Sequence, residues 1–64
     1  MNPEKQIQVR ERLLKSYRLY LEEGYGKIFA TKCAIMELKA ELLDEGLDND
    51  TVNELIKVAQ KRNN

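Results

Sequence analysis

Residues 27–45, KIFATKCAIMELKAELLDE, decide the fold because their apolar side chains leave a predicted helix in two directions. At about 100° per residue, one apolar stripe combines large side chains with two smaller neighbours: Ile28, Ile35, Leu38, Leu42, Thr31 and Ala34. A second stripe consists of Phe29, Cys33, Met36, Ala40 and Leu43. A helix packed on one core has a single stripe, whereas a helix that is apolar most of the way round is covered on several sides. We therefore expect this segment to contact two different surfaces.

Local signals predict one helix before this segment. Asn2, Pro3 and Glu4 are typical of a helix start, with Asn2 as the N-cap residue and Pro3 at the first helical position. Gly24 predicts the stop, because glycine readily adopts the left-handed conformation, and it would let Tyr25 fold back onto Tyr20. The sequence thus predicts helix 1 over about residues 3–23.

The same stop signal recurs at Gly46, where Leu47 is expected to contact Leu42. Helix 2 is therefore predicted over about residues 27–45. Asp48 is the expected N-cap of the next helix, with Leu47 and Val52 spaced to close a hydrophobic staple over it. Helix 3 is predicted over about residues 49–61.

Only three residues, 24–26, remain between helices 1 and 2, and links this short hold neighbouring helices antiparallel. The predicted fold class is all-α, in a single domain over residues 1–64: an antiparallel helical hairpin plus a short third helix. We expect the first stripe of helix 2 to pack on Ile7, Leu14, Leu21, Leu55 and Ile56.

A single long coiled-coil helix is the competing interpretation. It is suggested by apolar residues at a seven-residue spacing across the proposed break: Ile7, Leu14, Leu21, Ile28, Ile35 and Leu42. The alternate core positions would hold Arg10 and Gly24, and two nearby glycines destabilise a helix by about 2 kcal/mol. The sequence therefore favours the hairpin.

The size of the chain predicts that a second chain completes the fold. A domain of 64 residues buries only about 60% of the surface that its unfolded chain exposes. Cys33 is the sole cysteine and there is no histidine, so neither an internal disulfide nor a usual zinc site can add stability. We expect a homodimer with an interaction surface composed of Phe29, Cys33, Met36, Ala40, Leu43 and, on helix 1, Leu19. The alternative is a three-helix monomer that covers both stripes itself.

The residue inventory argues against an enzyme. Without histidine, and with Ser16 as the only serine, histidine-assisted nucleophilic catalysis is excluded. Glu37 and Glu41 are one turn apart, and we interpret them as a solvent-facing strip rather than an acid-base pair. The acids around Asp48 lack the ligand spacing of a calcium loop. We predict no catalytic residue, no cofactor and no metal ligand.

Charge separates the two halves of the chain although the net charge is zero. Residues 1–32 carry seven bases and four acids, or +3, and residues 33–64 carry four bases and seven acids, or −3. The alternative function is a helix-turn-helix-like DNA-binding regulator that uses residues 38–61. The N-terminal residues of its recognition helix would include Asp48, Asp50 and Glu54, which repel phosphate. A basic face on helix 1, with Arg10, Arg12, Lys15 and Arg18, is the other route to nucleic acid.

The sequence thus predicts a small non-enzymatic protein that self-associates and regulates or blocks a larger, unidentified protein partner. The polar residues at the N-terminus lack the apolar core of a signal peptide, and no run of about 18 apolar residues predicts a membrane span. Cytoplasmic localisation is expected, and a single apolar-flanked cysteine is typical of a reducing compartment. Neither nucleic acid nor a membrane is expected as a partner.

Overall fold

The computed structural model describes residues 3–61, which form three helices and no strand. The helices are α1 (Pro3–Glu22), α2 (Lys27–Asp44) and α3 (Asn49–Gln60). The predicted all-α fold with three helices is therefore confirmed. Residues 23–26 interrupt the helix, so the single coiled-coil helix is wrong. The proposed N-cap Asn2 lies outside the described residues.

Helices α1 and α2 end in the same hydrogen-bonded motif. Gly24 and Gly46 adopt φ angles of 100° and 99°, in the left-handed region that favours glycine. The Tyr25 N–H donates to the Tyr20 carbonyl at 3.2 Å, and the Leu47 N–H donates to the Leu42 carbonyl at 3.3 Å. These bonds, with the N–H groups of the two glycines bonded one turn back, satisfy carbonyls that a helix end leaves without partners. Both predicted stops are confirmed.

Asp48 caps α3 as predicted. Its carboxylate accepts the Thr51 N–H at 3.3 Å and the Thr51 hydroxyl at 2.6 Å. On either side of this cap, Leu47 is half-buried against the core and Val52 is fully buried. The cap and the apolar residues beside it fix the direction in which α3 leaves the turn.

The core lies between the three helices and uses small side chains at the crossings. It contains two residues from α1, four from α2 and four from α3: Val9, Leu13, Ala30, Ala34, Leu38, Leu42, Val52, Leu55, Ile56 and Ala59. Alanines on α2 allow close approach of the neighbouring helices because they add little beyond the backbone.

The expected packing partners are partly wrong. Leu38, Leu42, Leu55 and Ile56 are buried as predicted, whereas Ile7 is 57% exposed and Ile28 is 75% exposed. Leu14 is also exposed, and Leu21 is half-buried. On α2 the physical reason is that Ala30 and Ala34 face inward, which leaves Ile28 at the surface. On α1, Val9 and Leu13 face the core in place of Ile7 and Leu14.

Polar contacts join α1 to α2 in reverse order along the two helices. Lys5 Nζ lies 3.8 Å from Glu45, and Arg12 Nη2 lies 3.0 Å from Glu45 and 2.8 Å from Glu41. One turn further along α1, the Ser16 hydroxyl donates to Glu37. Glu37 and Glu41 are therefore exposed but are not merely a solvated strip, because their carboxylates bind residues of α1.

Candidate interaction surface

The candidate site is the side of α2 that lies opposite its buried side. The inward residues are Ala30, Ala34, Leu38 and Leu42, spaced by four along the helix. At about 100° per residue, Met36 points about 180° away from the centre of this group, with Phe29 and Leu43 within about 20° of it. Together with the small residues between them, these residues form what we call the outer face: Phe29, Cys33, Met36, Ala40 and Leu43.

The large side chains of the outer face are exposed. Met36 is 70% exposed, Phe29 54% and Leu43 38%. Ala40 is exposed as well, and Cys33 is half-buried with a free thiol. Single exposed apolar residues are common, but three large ones on a straight line along one helix form a continuous apolar strip.

Leu19, the sixth predicted surface residue, is exposed on α1 and not on the outer face itself. It lines a surface depression with Ser16, Tyr20, Glu23 and Glu37. Leu19 thus borders the polar contacts that Ser16 and Tyr20 of α1 make with Glu37 of α2.

A row of aromatic rings extends the outer face towards the link between α1 and α2. The rings of Tyr20 and Tyr25 have centroids 5.5 Å apart, and those of Tyr25 and Phe29 are 5.2 Å apart. The sequence predicts the first of these contacts and not the second. Helical spacing gives no signal for this second contact, because Tyr25 precedes the first residue of α2 and only Phe29 lies within the helix.

Charges of opposite sign lie along the two edges of the outer face. Lys32 and Lys39 lie on one edge, and Glu37 and Asp44 lie on the other. Within residues 3–61, Lys32, Lys39 and Asp44 form no ion pair inside the chain. Glu37 accepts hydrogen bonds from Ser16 and, at 3.5 Å, from the Tyr20 hydroxyl, and it stays exposed.

The groups with shifted pKa values have structural partners. The hydrogen bond to Glu41 raises the pKa of Arg12 above its ordinary value. Desolvation is the larger cause, and the negative charge of Glu37 the next, of the raised pKa of Tyr20. The Thr51 hydroxyl and N–H lower the pKa of Asp48. The shifts of Arg12 and Asp48 follow from bonds that join two helices or hold a helix start, and the shift of Tyr20 follows first from desolvation.

Both surfaces proposed for nucleic acid carry acidic side chains. Asp48, Asn49, Asp50, Asn53 and Glu54 are exposed at the start of α3, as a recognition helix would present them. On α1, Arg12 is engaged by Glu41 and Glu45, and Glu11 lies beside the exposed Lys15 and Arg18 on the helix surface. Neither place has the uniform positive charge that phosphate contacts require.

A cleft of 210 Å³ lies between the helices, away from the outer face. Its walls are mainly apolar and come from all three helices: Leu13, Leu14, Tyr17, Thr31, Ala34, Ala59 and Gln60. Small-molecule sites usually have volumes of about 300–1,000 Å³, so the cleft is smaller than such sites.

Residues 3–61 contain no cluster of three or more side chains suited to holding a metal ion. None of their helices combines the length and the apolar character that crossing a bilayer requires. Comparison of the chain with protein-family models, curated proteins and solved structures gives no match in any of the three.

Proposed function

We propose that this chain is a non-enzymatic interaction protein that self-associates through the outer face of α2. The observation that carries the proposal is the exposure of Phe29, Met36 and Leu43 on the side of α2 that points away from the core. Covering a Phe or a Met side chain contributes about 1.5–3 kcal/mol relative to leaving it in water. A second copy that brings the same strip covers both strips at once.

The proposal includes the antiparallel arrangement of α1 and α2. Its support is the reverse order of the polar contacts, from Lys5 with Glu45 to Ser16 with Glu37. In this arrangement Lys5 and Arg12 of α1 pair with Glu41 and Glu45 and leave the apolar outer face open. Ion pairs within the monomer then neutralise part of the opposite charges of the two halves of the chain.

The second part of the proposal is that the protein acts on a larger protein in the cytoplasm, by docking on it or blocking one of its surfaces. Met36 and Phe29 suit such a contact, because a flexible thioether adapts to irregular surfaces and an aromatic ring supplies a large contact area. No catalytic role is proposed, since the shifted pKa values of Arg12 and Asp48 are explained by helix contacts and that of Tyr20 first by desolvation.

Sedimentation of a dilution series tests self-association. We expect the mass to rise from one chain to two as the concentration increases, and we expect a Met36→Glu variant to remain monomeric, because a carboxylate buried in an apolar interface is strongly unfavourable. Far-ultraviolet circular dichroism should show unchanged helix content in the variant, because Met36 lies outside the core.

Ile7→Glu is the matched control. Ile7 is also a large exposed apolar residue, but it lies on α1, on the side turned away from α2. The control should dimerise like the unchanged protein. A strict monomer at millimolar concentration, or equal loss of association in both variants, would contradict the proposed use of the outer face.

The partner protein can be sought with the same two variants as bait. A protein from the native host that binds the unchanged chain and the Ile7→Glu variant, but not the Met36→Glu variant, would support the proposal. DNA binding is tested by a gel shift with random duplex at low salt, where we expect no retardation. Retardation that disappears at high salt would favour the DNA-binding alternative.

A further inference from the structure

We propose that two copies pair through α2 in parallel and in register, so that the lysine edge of each copy meets the acidic edge of the other. This inference rests on the proposed self-association and adds the orientation of the second copy. The observation behind it is the opposite sign of the two edges of the outer face, with Lys32 and Lys39 on one edge and Glu37 and Asp44 on the other.

The spacing of these charges fits a parallel pair of helices. Along α2, Phe29, Met36 and Leu43 repeat every seven residues, and Cys33 and Ala40 repeat every seven residues four positions later. These are the spacings of the two core positions of a heptad repeat. Lys32 and Lys39 then occupy one flanking position and Glu37 and Asp44 the other.

In a parallel pair, a residue on the lysine edge approaches the residue five positions later on the acidic edge of the partner helix. Lys32 therefore meets Glu37 of the second copy, and Lys39 meets Asp44 of the second copy. Two-fold symmetry repeats each pair, so the dimer gains four ion pairs. All four residues have charged groups at or near the surface, and Glu37 retains acceptor capacity beyond its bonds to Ser16 and Tyr20.

An antiparallel pair would bring like charges together. In that orientation each edge faces the same edge of the partner. Lys39 then approaches Lys32 of the second copy, and Asp44 approaches Glu37 of the second copy. Like charges placed across a helix interface disfavour the arrangement and thereby select the orientation. The same residues thus favour one pairing and oppose the other.

The extent of α2 sets the strength of this contact. With 18 residues, the helix is about 27 Å long, and only its outer face is buried in the pair. Stable complexes usually bury about 1,200–2,000 Å² in total, so a single helix pair of this length is at the weak end of the range. A reversible dimer with a dissociation constant in the micromolar range is expected, and its orientation is then set by the edge charges.

Charge reversal at Lys39 and Asp44 distinguishes the two orientations by the sign of its effect. Lys39→Glu should weaken the dimer about tenfold at low salt, because two attractive pairs become repulsive. Asp44→Lys should do the same, and the double variant Lys39→Glu/Asp44→Lys should restore the original affinity. The differences should shrink in 0.5 M salt, where exposed charges are screened. Tighter association of Lys39→Glu would overturn the parallel orientation, because it would mean relief of repulsion between lysines.

Cys33 provides a second, geometric test. At a core position of a parallel pair, the two Cys33 residues face each other across the symmetry axis at a separation that a disulfide can span. Oxidised glutathione would accept the two electrons and two protons of the thiols and be reduced to two glutathione molecules. We expect a disulfide-linked dimer, and the same from Cys33→Ser/Ala40→Cys, whose thiols occupy the next equivalent position.

The control Cys33→Ser/Lys57→Cys places a single exposed thiol on α3 and reports links formed by random collision. Links that form only when the Cys33 protein and Cys33→Ser/Ala40→Cys are mixed would indicate an antiparallel pair and overturn the inference. If sedimentation shows a dimer and links form only in the mixture, the proposed function stands and the parallel orientation is rejected. A monomer at every concentration rejects both.

Discussion

Asp48 stabilises the start of α3 through its carboxylate. Bonds from the Thr51 hydroxyl and N–H hold the charged form and lower the pKa of Asp48 in the folded state. A group whose folded pKa lies below its unfolded value, about 3.9, stabilises the fold above that pH. The stabilisation is lost as the pH falls through the folded pKa, because the protonated form makes poorer bonds.

We therefore expect the free energy of unfolding to fall between about pH 5 and pH 2 and to fall less in an Asp48→Asn variant. Urea denaturation at a series of pH values measures this difference. The companion variant Thr51→Val removes the hydroxyl donor and should raise the pKa of Asp48 towards its ordinary value in a carboxyl-detected NMR titration. An equally steep loss of stability on acidification in Asp48→Asn would refute this role.

At the scale of the helices, Gly24 and Gly46 end α1 and α2 with positive φ angles, whereas Gly26 precedes α2 with φ of −69°. A β-carbon at any of the three would meet no atom within 4 Å, so space does not distinguish them. Conformation does. Side chains are strained at φ near +100°, and a residue at the position of Gly26 has no such restriction.

Gly46→Ala is therefore expected to lower the free energy of unfolding by about 1 kcal/mol. Gly26→Ser should raise it by about 0.3 kcal/mol, because α2 has no side-chain cap and a serine hydroxyl there can accept an N–H of its first turn. Thermal denaturation of the two variants checks both signs. Destabilisation by Gly26→Ser equal to that by Gly46→Ala would show that the sign of φ is not the cause.

The helix ends could be predicted because their signals are local. Asp48, Gly24 and Gly46 act through hydrogen bonds to residues within five positions, which the sequence presents directly. The inward face of α2 depends on how three helices cross, and there small residues such as Ala30 and Ala34 take precedence over larger ones such as Ile28. The stripe of large apolar side chains gives alanine little weight, and its centre lies about 50° from the buried side of α2.

The bonds between α1 and α2 were missed for a related reason. Glu37 and Glu41 on α2 and Glu45 just after it are spaced by four residues, a pattern equally typical of a solvated strip. Their partners, Arg12 and Ser16, become apparent only when the two helices are placed side by side. The outer face was predicted residue by residue, and its positions are exposed or half-buried; its role in association stays a prediction.

At the scale of the whole molecule, the Cα atoms extend over 34 × 28 × 15 Å. The shortest dimension corresponds to about two layers of helices, so each helix keeps a side that the chain itself does not cover. The three helices then share one small core. Loss of a central side chain is expected to unfold the three helices together, as a single cooperative transition.

Adjacent leucines on α2 test this expectation. Leu42 is fully buried and Leu43 is 38% exposed, so Leu42→Ala should cost about 2–4 kcal/mol and Leu43→Ala less than about 1 kcal/mol at low protein concentration. Urea denaturation followed by circular dichroism measures both. Equal costs, or separate transitions in Leu42→Ala, would contradict a single core shared by all helices.

The row of Tyr20, Tyr25 and Phe29 gives the molecule a built-in optical reporter. The chain has no tryptophan, so its ultraviolet fluorescence comes from three tyrosines, two of which belong to this row. Phe29 connects the row to the outer face, and a surface that covers Phe29 therefore changes the surroundings of Tyr25. Tyrosine emission and near-ultraviolet dichroism can follow occupation of α2 without any attached dye.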